Sequence, residues 1–273
     1  MTHLIATMAH SESSSRPRQQ GIQSIETGAL LLAALAESTR GLALGELAAA
    51  AGMPSAKAHR YLVSFVRMGL VEQHPFSGHY DLGPFALRLG LTALGRIDPV
   101  RLATPVIESL ASQLGVTAAL AIWGEAGPTI VRWIDSPRPV VVNLRTGGIM
   151  PLTHSATGLV FSAWLPREQT QLRIHEELEA AKIAQAPGRP STYEALEARL
   201  ATVRAEGVSR IAGELMLGID ALAAPVFDAH GKLALVLTLV GTAHGFDASK
   251  QGRAACILKD AARGLSQRCG YPV

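Results

Sequence analysis

The sequence predicts an α+β protein of two domains, and three features carry that prediction. Apolar residues recur at helical spacing through residues 24–68, β-prone runs bounded by Gly and Pro begin near Leu70 and return beyond Gly115, and helical stretches stand between the later runs. At 273 residues the chain suits two domains of ordinary size. Hydrophobic residues make up 48% and charged residues only 17%, so large buried cores are expected.

Residues 1–20 read as a flexible tail. Leu4–Ala9 is brief, Glu12, Arg16 and Arg18 follow in a serine-rich stretch, and the order of a signal peptide is missing. The longest apolar runs, such as Ala29–Ala36, are far too short to cross a bilayer, so a cytoplasmic protein without a membrane partner is expected. Cys256 and Cys269 suit no common metal motif and read as reduced thiols; neither a metal nor another cofactor is expected.

The first helix is expected to start at Ser24 as cap, to bury Ile25, Ala29, Leu32 and Ala36, and to end by Gly41. A short second helix buries Leu44, Leu47, Ala48 and Ala51 and closes at Gly52. Met53-Pro54-Ser55 is a tight turn with Pro54 near the first helical position, where its missing N–H costs little. The third helix, roughly Ser55 to Met68, anchors through Ala58, Leu62, Phe65 and Tyr61. Ser55, Ala56, Lys57, His59, Arg60, Ser64 and Arg67 fall mainly on its other faces. A short helix, a glycine-containing turn and a longer helix with a polar, basic outer face describe a helix-turn-helix.

A strand at Leu70–Gln73, a turn at Pro75–Gly78 and a returning strand at His79–Leu82 add the wing of a winged helix. The candidate DNA contacts are therefore Ser55, Ala56, Lys57, His59, Arg60 and Ser64 on the helix and His79 on the wing. Arg and Lys are strong donors to phosphate oxygens and guanine edges. A merely solvated helix face is the alternative for Lys57 and Arg60, and a solvated loop histidine is the favoured reading of His74. Net charge adds little: it is +3 for the chain, and over residues 1–83 it cancels. Its distribution adds more, because no Asp or Glu lies between Leu47 and Val71.

These segments resemble the IclR family of bacterial regulators. The resemblance is carried by Gly21-Ile22-Gln23-Ser24-Ile25-Glu26, Leu44-Gly45-Glu46-Leu47-Ala48, Gly52-Met53-Pro54, Ala58-His59-Arg60-Tyr61-Leu62, Gly69-Leu70-Val71-Glu72 and Tyr80-Asp81-Leu82-Gly83-Pro84. It continues with Pro151-Leu152, Ser155-Ala156-Thr157-Gly158 and Ala223-Ala224-Pro225-Val226-Phe227-Asp228, so that it spans about residues 21 to 268. It implies a winged helix-turn-helix over 21–83, a linker helix over 84–97, and a GAF-like effector-binding domain with a central antiparallel sheet over 98–273. It further implies dimers or tetramers that bind double-stranded promoter DNA and respond to a small-molecule effector. Relatives often carry Lys, Ser and Thr where this chain has Ser55, Ala56 and Lys57, so base preference does not transfer.

Pro84 to Leu94 reads as the connecting helix, and Asp98 caps a further helix with Pro99 in its first turn and Val106, Leu110 and Leu114 in its stripe. Beyond Gly115, strands are expected at Thr117–Trp123, Thr129–Asp135, Val140–Leu144, Ala221–Phe227 and Leu233–Val240. Helices are expected at Ser155–Leu165, 166–184, 191–206 and about 249–268. By the family pattern Ala156 and Thr157 present backbone N–H groups to an anionic effector, Ile219, Ala221, Thr238 and Val240 line the pocket, and Met150 closes one side. Ordinary core roles are the alternative for the apolar positions. Several relatives are more polar at the positions of Ala221 and Val240, and many carry a basic residue where Leu159 stands. An aromatic or branched acid fits these departures.

Catalysis is not expected. The chain has no Gly-x-Ser-x-Gly, no His-Glu-x-x-His and no phosphate-binding loop; His154 and Ser155 are adjacent rather than facing. Glu214 and Asp220 read as structural or solvated, and His175, His230 and His244 lack metal spacing. A second domain that only oligomerises the chain is the remaining alternative.

Overall fold

The computed structural model describes residues 21–136, 144–185 and 188–272. The expected tail 1–20 and all of the expected strand Val140–Leu144 except Leu144 lie outside them. The chain divides into two compact units that meet in sequence between Thr92 and Ala93.

The first unit contains α1 Gln23–Glu37, α2 Leu44–Ala50, α3 Ser55–Met68, β1 Val71–Gln73, β2 Tyr80–Leu82 and most of α4 Pro84–Leu94. Its core joins Leu31, Leu35, Leu47, Ala48, Ala58, Leu62, Val71 and Tyr80. β1 and β2 pair antiparallel with Glu72 opposite Asp81, and Leu42 bridges to Tyr80 from outside the hairpin.

Two expectations for α1 need correction. Ser24 lies inside the helix, whose N-cap is Ile22, and no side chain caps it. The buried face is Gly28, Leu31, Ala34 and Leu35, whereas Ile25 is 66% exposed and Ala29 and Ala36 are exposed. The cause is that α1 is apolar around most of its circumference, so two helical stripes compete. Gly28 favours the observed stripe: a Cβ there would lie 2.9 Å from Phe65 and 3.1 Å from Tyr61, so glycine lets α1 seat closely against α3 without displacing those rings.

The second unit contains α5 Pro99–Leu114, β3 Thr117–Gly124, β4 Gly127–Ile134, α6 Ala156–Trp164, α7 Arg167–Ala184, α8 Tyr193–Glu206, β5 Ser209–Ala212, β6 Ile219–Phe227, β7 Leu233–Thr242 and α9 Arg253–Arg268. The strands form one antiparallel sheet in the order β4-β3-β7-β6-β5. Asp98 caps α5 as expected, accepting from the Arg101 N–H at 3.1 Å. The buried stripe of α5 is Ala103, Ile107, Leu110 and Ala111; Val106 and Leu114 sit at its margin, a correction of less than one helical turn.

The two faces of the sheet differ in side-chain size, and this positions the site. Towards α5 and α9 the strands present Leu120, Leu222, Leu235, Leu237 and Leu239, which pack with Ile107, Leu110, Leu258 and Leu265. Towards α6 and α8 the same strands present Ala121, Ala223 and Val236, packed with Leu159, Phe161, Leu196 and Leu200. The registers place Ala119 opposite Thr238 and Ala221 opposite Val240 on that second face. Leucines fill one side; alanines leave a hollow on the other.

Candidate functional site

Two sites emerge, one in each unit. In the first, the entry to α2 is fastened by Glu46, whose carboxylate accepts from the Ala43 N–H at 2.9 Å and from Arg40 at 2.9 and 3.2 Å. The Arg40 hydrogen bond, helped by the Ala43 N–H, draws the Glu46 carboxyl down to about 2. The chain then turns through Gly52, at φ +64°, with the Met53 N–H bonded back to the Ala48 carbonyl at 2.9 Å, and α3 begins.

Only Ala58 and Leu62 of α3 are buried. Ser55, Ala56, Lys57, His59, Arg60, Ser64 and Arg67 are all exposed. Among the described residues Lys57, Arg60 and Arg67 have no carboxylate partner, and the first turn of α3 holds no acid. The helix therefore offers a positive N-terminal end and free cationic side chains on one element. Ser64 back-bonds to the Arg60 carbonyl at 3.4 Å.

The hairpin tip is braced by bonds from Gln73 to the Gly78 carbonyl at 3.0 Å and from the Ser77 N–H to His74 Nδ1 at 3.2 Å. His74 is thus occupied within the turn. His79 is half-buried and close enough to Glu46 to influence its charge, while Phe76 stands 94% exposed at the tip. Phe76 was not among the candidates; a single aromatic in a turn carries no periodic signal.

In the second unit the hollow is a cavity of about 140 Å³. Met150, Ala156, Thr157, Ile219, Ala221, Thr238 and Val240, the seven residues singled out from sequence, all line it. Ala119, Ile130, Trp133, Leu144, Ile211, Leu215 and Met216 line it too and were not anticipated. Among the described residues no lining residue is charged. The polar feature is a pair of buried hydroxyls, with Thr157 Oγ1 and Thr238 Oγ1 2.8 Å apart. One O–H serves that bond, leaving the other proton free to point elsewhere.

Ala156 and Thr157 are the first two residues of α6, so their N–H groups have no acceptor within the helix. Ser155 caps the helix, accepting from the Gly158 N–H at 2.9 Å and donating to the Pro151 carbonyl at 2.6 Å. A Cβ at Gly158 would stand 1.9 Å from the Pro151 oxygen, so the turn closes this tightly only around glycine.

Glu177 of α7 fixes the approach to α6 by accepting from the Leu152 N–H, the Thr153 N–H and the Thr153 hydroxyl, each at 2.8 Å. His154 lies beside this carboxylate at 3.6 Å, and burial, reinforced by the nearby Arg189, lowers its pKa. Glu214 is committed to Arg199, at 2.6 Å. Among the described residues no group of three or more His, Cys, Asp or Glu is placed to hold a metal ion.

The model for the IclR helix-turn-helix domain matches residues 24–75, and that for the C-terminal domain of bacterial transcriptional regulator IclR matches residues 91–267. The chain belongs to the IclR family. Relatives include the glycerol operon regulatory protein of Streptomyces griseus, 34% identical over 210 residues that cover 77% of this chain and 80% of the relative. The transcriptional repressor IclR of Escherichia coli is 28% identical over 227 residues, 82% of each chain. Among solved structures, Pseudomonas aeruginosa HmgR is 40% identical, with a TM-score of 0.82 over 92% of this chain and 99% of that one. An IclR homolog from Microbacterium hydrocarbonoxydans, solved in complex with 4-hydroxybenzoate, shares the fold at 21% identity and a TM-score of 0.55, covering 90% of this chain and 98% of that one.

Membership makes this chain a DNA-binding transcriptional regulator, in a family that is not enzymatic. No helix among the described residues is long and apolar enough to cross a membrane.

Proposed function

We propose that this IclR-family regulator binds promoter DNA through α3 and the hairpin, and that a small carboxylate-bearing metabolite in the alanine-floored cavity controls that binding. Lys57 and Arg60 take phosphate or guanine contacts, Ser55, Ala56, His59 and Ser64 meet the groove, and His79 supports the wing against the backbone. The effector is an aromatic or branched monocarboxylic acid. One observation carries this reading: a cavity with no charged lining residue among the described residues, lined by a buried hydroxyl pair and by the first two residues of α6. An apolar body suits the Ala119, Ile130 and Val240 walls, and a carboxylate suits the helix N-terminus. That the Microbacterium homolog was solved with 4-hydroxybenzoate supports the same ligand class.

The working particle is a dimer or a pair of dimers. Support comes from α4, which has no buried residue and exposes Leu87, Leu89 and Leu91, and from the exposed Ile22 and Ile25 at the start of α1. Such apolar surface is costly in water unless a second copy covers it. The site of action is the cytoplasm, where the promoter is.

The test is titration of the purified protein onto its own upstream intergenic DNA at two salt concentrations against scrambled competitor, repeated with benzoate and 4-hydroxybenzoate. Specific retention that weakens with salt, and that either acid shifts, is expected. A bound acid also raises thermal stability, by about 2.7 kcal/mol at a hundredfold excess over its Kd. Specific DNA binding untouched by any carboxylic acid, with no thermal shift, favours a second domain that serves only for assembly.

A further inference from the structure

The inference rests on the cavity being the ligand site, and it concerns how a ligand gets in. Ala119, Ile130, Met150, Ala156, Thr157, Ile211, Thr238 and Val240 are each at most 5% exposed, so the inner walls are deeply buried. The half-buried lining residues mark the mouth, and two of them, Leu215 and Met216, belong to one loop.

That loop, residues 213–218, joins β5 to β6. The Gly213 N–H bonds to the Ile219 carbonyl at 3.0 Å and closes the base of the loop. Gly213 and Gly218 hold φ of +72° and +77°, and a Cβ on Gly218 would meet no atom within 4 Å. Glycine is therefore required at Gly218 for backbone conformation and not for packing, as at a hinge. Leu217, at the far side of the loop, is 93% exposed, so this part of the loop has no apolar anchor.

Leu215 packs against the buried clusters on the cavity side, and the Gly218 carbonyl accepts from the Ala243 N–H at 2.9 Å. The side-chain fastening of the loop is polar and lies outside the cavity. Glu214 accepts two bonds from Arg199 of α8, at 2.6 and 2.7 Å, and its main-chain carbonyl accepts from Arg189 Nε at 3.1 Å. Arg199 also donates to the Arg210 carbonyl on β5, at 3.2 Å, and so ties the foot of the loop to the same guanidinium. The pair is mostly shielded, with side chains 23% and 16% exposed, and the fork-to-carboxylate geometry is the strong form of such a bond.

We propose that residues 213–218 are a lid over the cavity, latched shut by Glu214 on Arg199 and Arg189, and that ligand enters and leaves by release of this latch. Leu215 and Met216 are the apolar underside of the lid. Glu214 does not line the cavity, so the latch is made equally with the cavity empty or filled. Weakening it speeds entry and exit alike and leaves the equilibrium affinity unchanged.

The experiment follows intrinsic tryptophan fluorescence, since Trp133 lines the cavity, in stopped-flow mixing with 4-hydroxybenzoate as probe. Glu214→Gln should raise both the association and the dissociation rate by roughly tenfold, with Kd held within about twofold, and Arg199→Lys should fall between it and the unmodified chain. Unchanged rates, or a faster dissociation alone, overturn the lid. Amide exchange in the ligand-free protein tests it independently of any probe: exchange of residues 213–219 should quicken in Glu214→Gln while the middle of β6 and β7 stays protected. Equal protection in both proteins also overturns it. A probe that produces no equilibrium fluorescence change counts against the cavity as a ligand site, and amide exchange still decides the lid.

Discussion

The two hydroxyls inside the cavity allow a double-mutant cycle with a definite sign. Thr157→Val keeps the side-chain shape but leaves the Thr238 hydroxyl, 4% exposed, facing a wall of apolar atoms without its partner at 2.8 Å. A buried polar group stranded in this way costs about 1–3 kcal/mol, and Thr238→Val should cost the same by stranding Thr157. The double variant removes both groups and replaces the pair with methyl against methyl, so it should come close to the unmodified protein. The singles should therefore fail to add, with an interaction energy of about 1–3 kcal/mol, read by urea unfolding of the C-terminal unit. For a unit of this size that is roughly 2–4 °C in Tm for each kcal/mol. In the same samples the double variant, though stable, should bind 4-hydroxybenzoate about tenfold more weakly, the cost of one lost hydrogen bond to a charged group. Additive stabilities would mean each hydroxyl is satisfied elsewhere, and unchanged binding would take the pair out of ligand recognition.

Three further outcomes follow from geometry already given. Gly158→Ala should unfold the C-terminal unit or leave it aggregated on expression, because its Cβ has no room beside the Pro151 oxygen, while Gly264→Ala in α9, where a Cβ meets nothing within 4 Å, should stabilise by about 0.5–1 kcal/mol in thermal unfolding. Arg60→Ala should weaken binding to specific and unrelated DNA alike and reduce the salt slope by about one if the guanidinium meets a phosphate; an unchanged slope removes it from the interface. Burial and Arg189 hold His154 towards its neutral form in the folded chain, so the unfolded chain takes up the proton first. Stability of the C-terminal unit should therefore be complete above about pH 6.5, decline as pH falls below it, and lose that dependence in His154→Gln, as followed by urea unfolding at a series of pH values.

How much of this was readable beforehand depended on the kind of signal. The head was legible because Gly52, Pro54, Gly69 and Gly78 punctuate it, and turn chemistry is local. The buried face of α1 was not, because Ile25, Ala29 and Ala36 satisfy helical spacing as well as Leu31, Ala34 and Leu35 do; the choice lies in Gly28 meeting Tyr61 and Phe65 across a sequence gap of more than thirty residues. β5 escaped notice since Ser209–Ala212 is only four residues long and has little apolar alternation. The seven cavity residues came from the family resemblance and not from periodicity. The other half of the wall, Trp133, Leu144, Leu215 and Met216 among it, depends on sheet register and loop path, neither of which short-range pattern encodes. The same is true of the Arg199 and Glu214 pair, whose members are joined only by the packing of α8 beside β5 and its loop.

The unequal faces of the central sheet bear on how such a regulator changes its metabolite over time. Leucines on one side hold the domain together, whereas Ala119 and Ala221 on the other mould the hollow. Along β3 and β6 the leucine positions thus alternate with alanines, of which Ala119 and Ala221 border the hollow while Ala121 and Ala223 are packed in the core. Enlarging an alanine to valine trims the cavity by a methyl pair without disturbing the leucine layer behind it. A new ligand preference is in this way one or two conservative substitutions distant, at positions that cost the fold little.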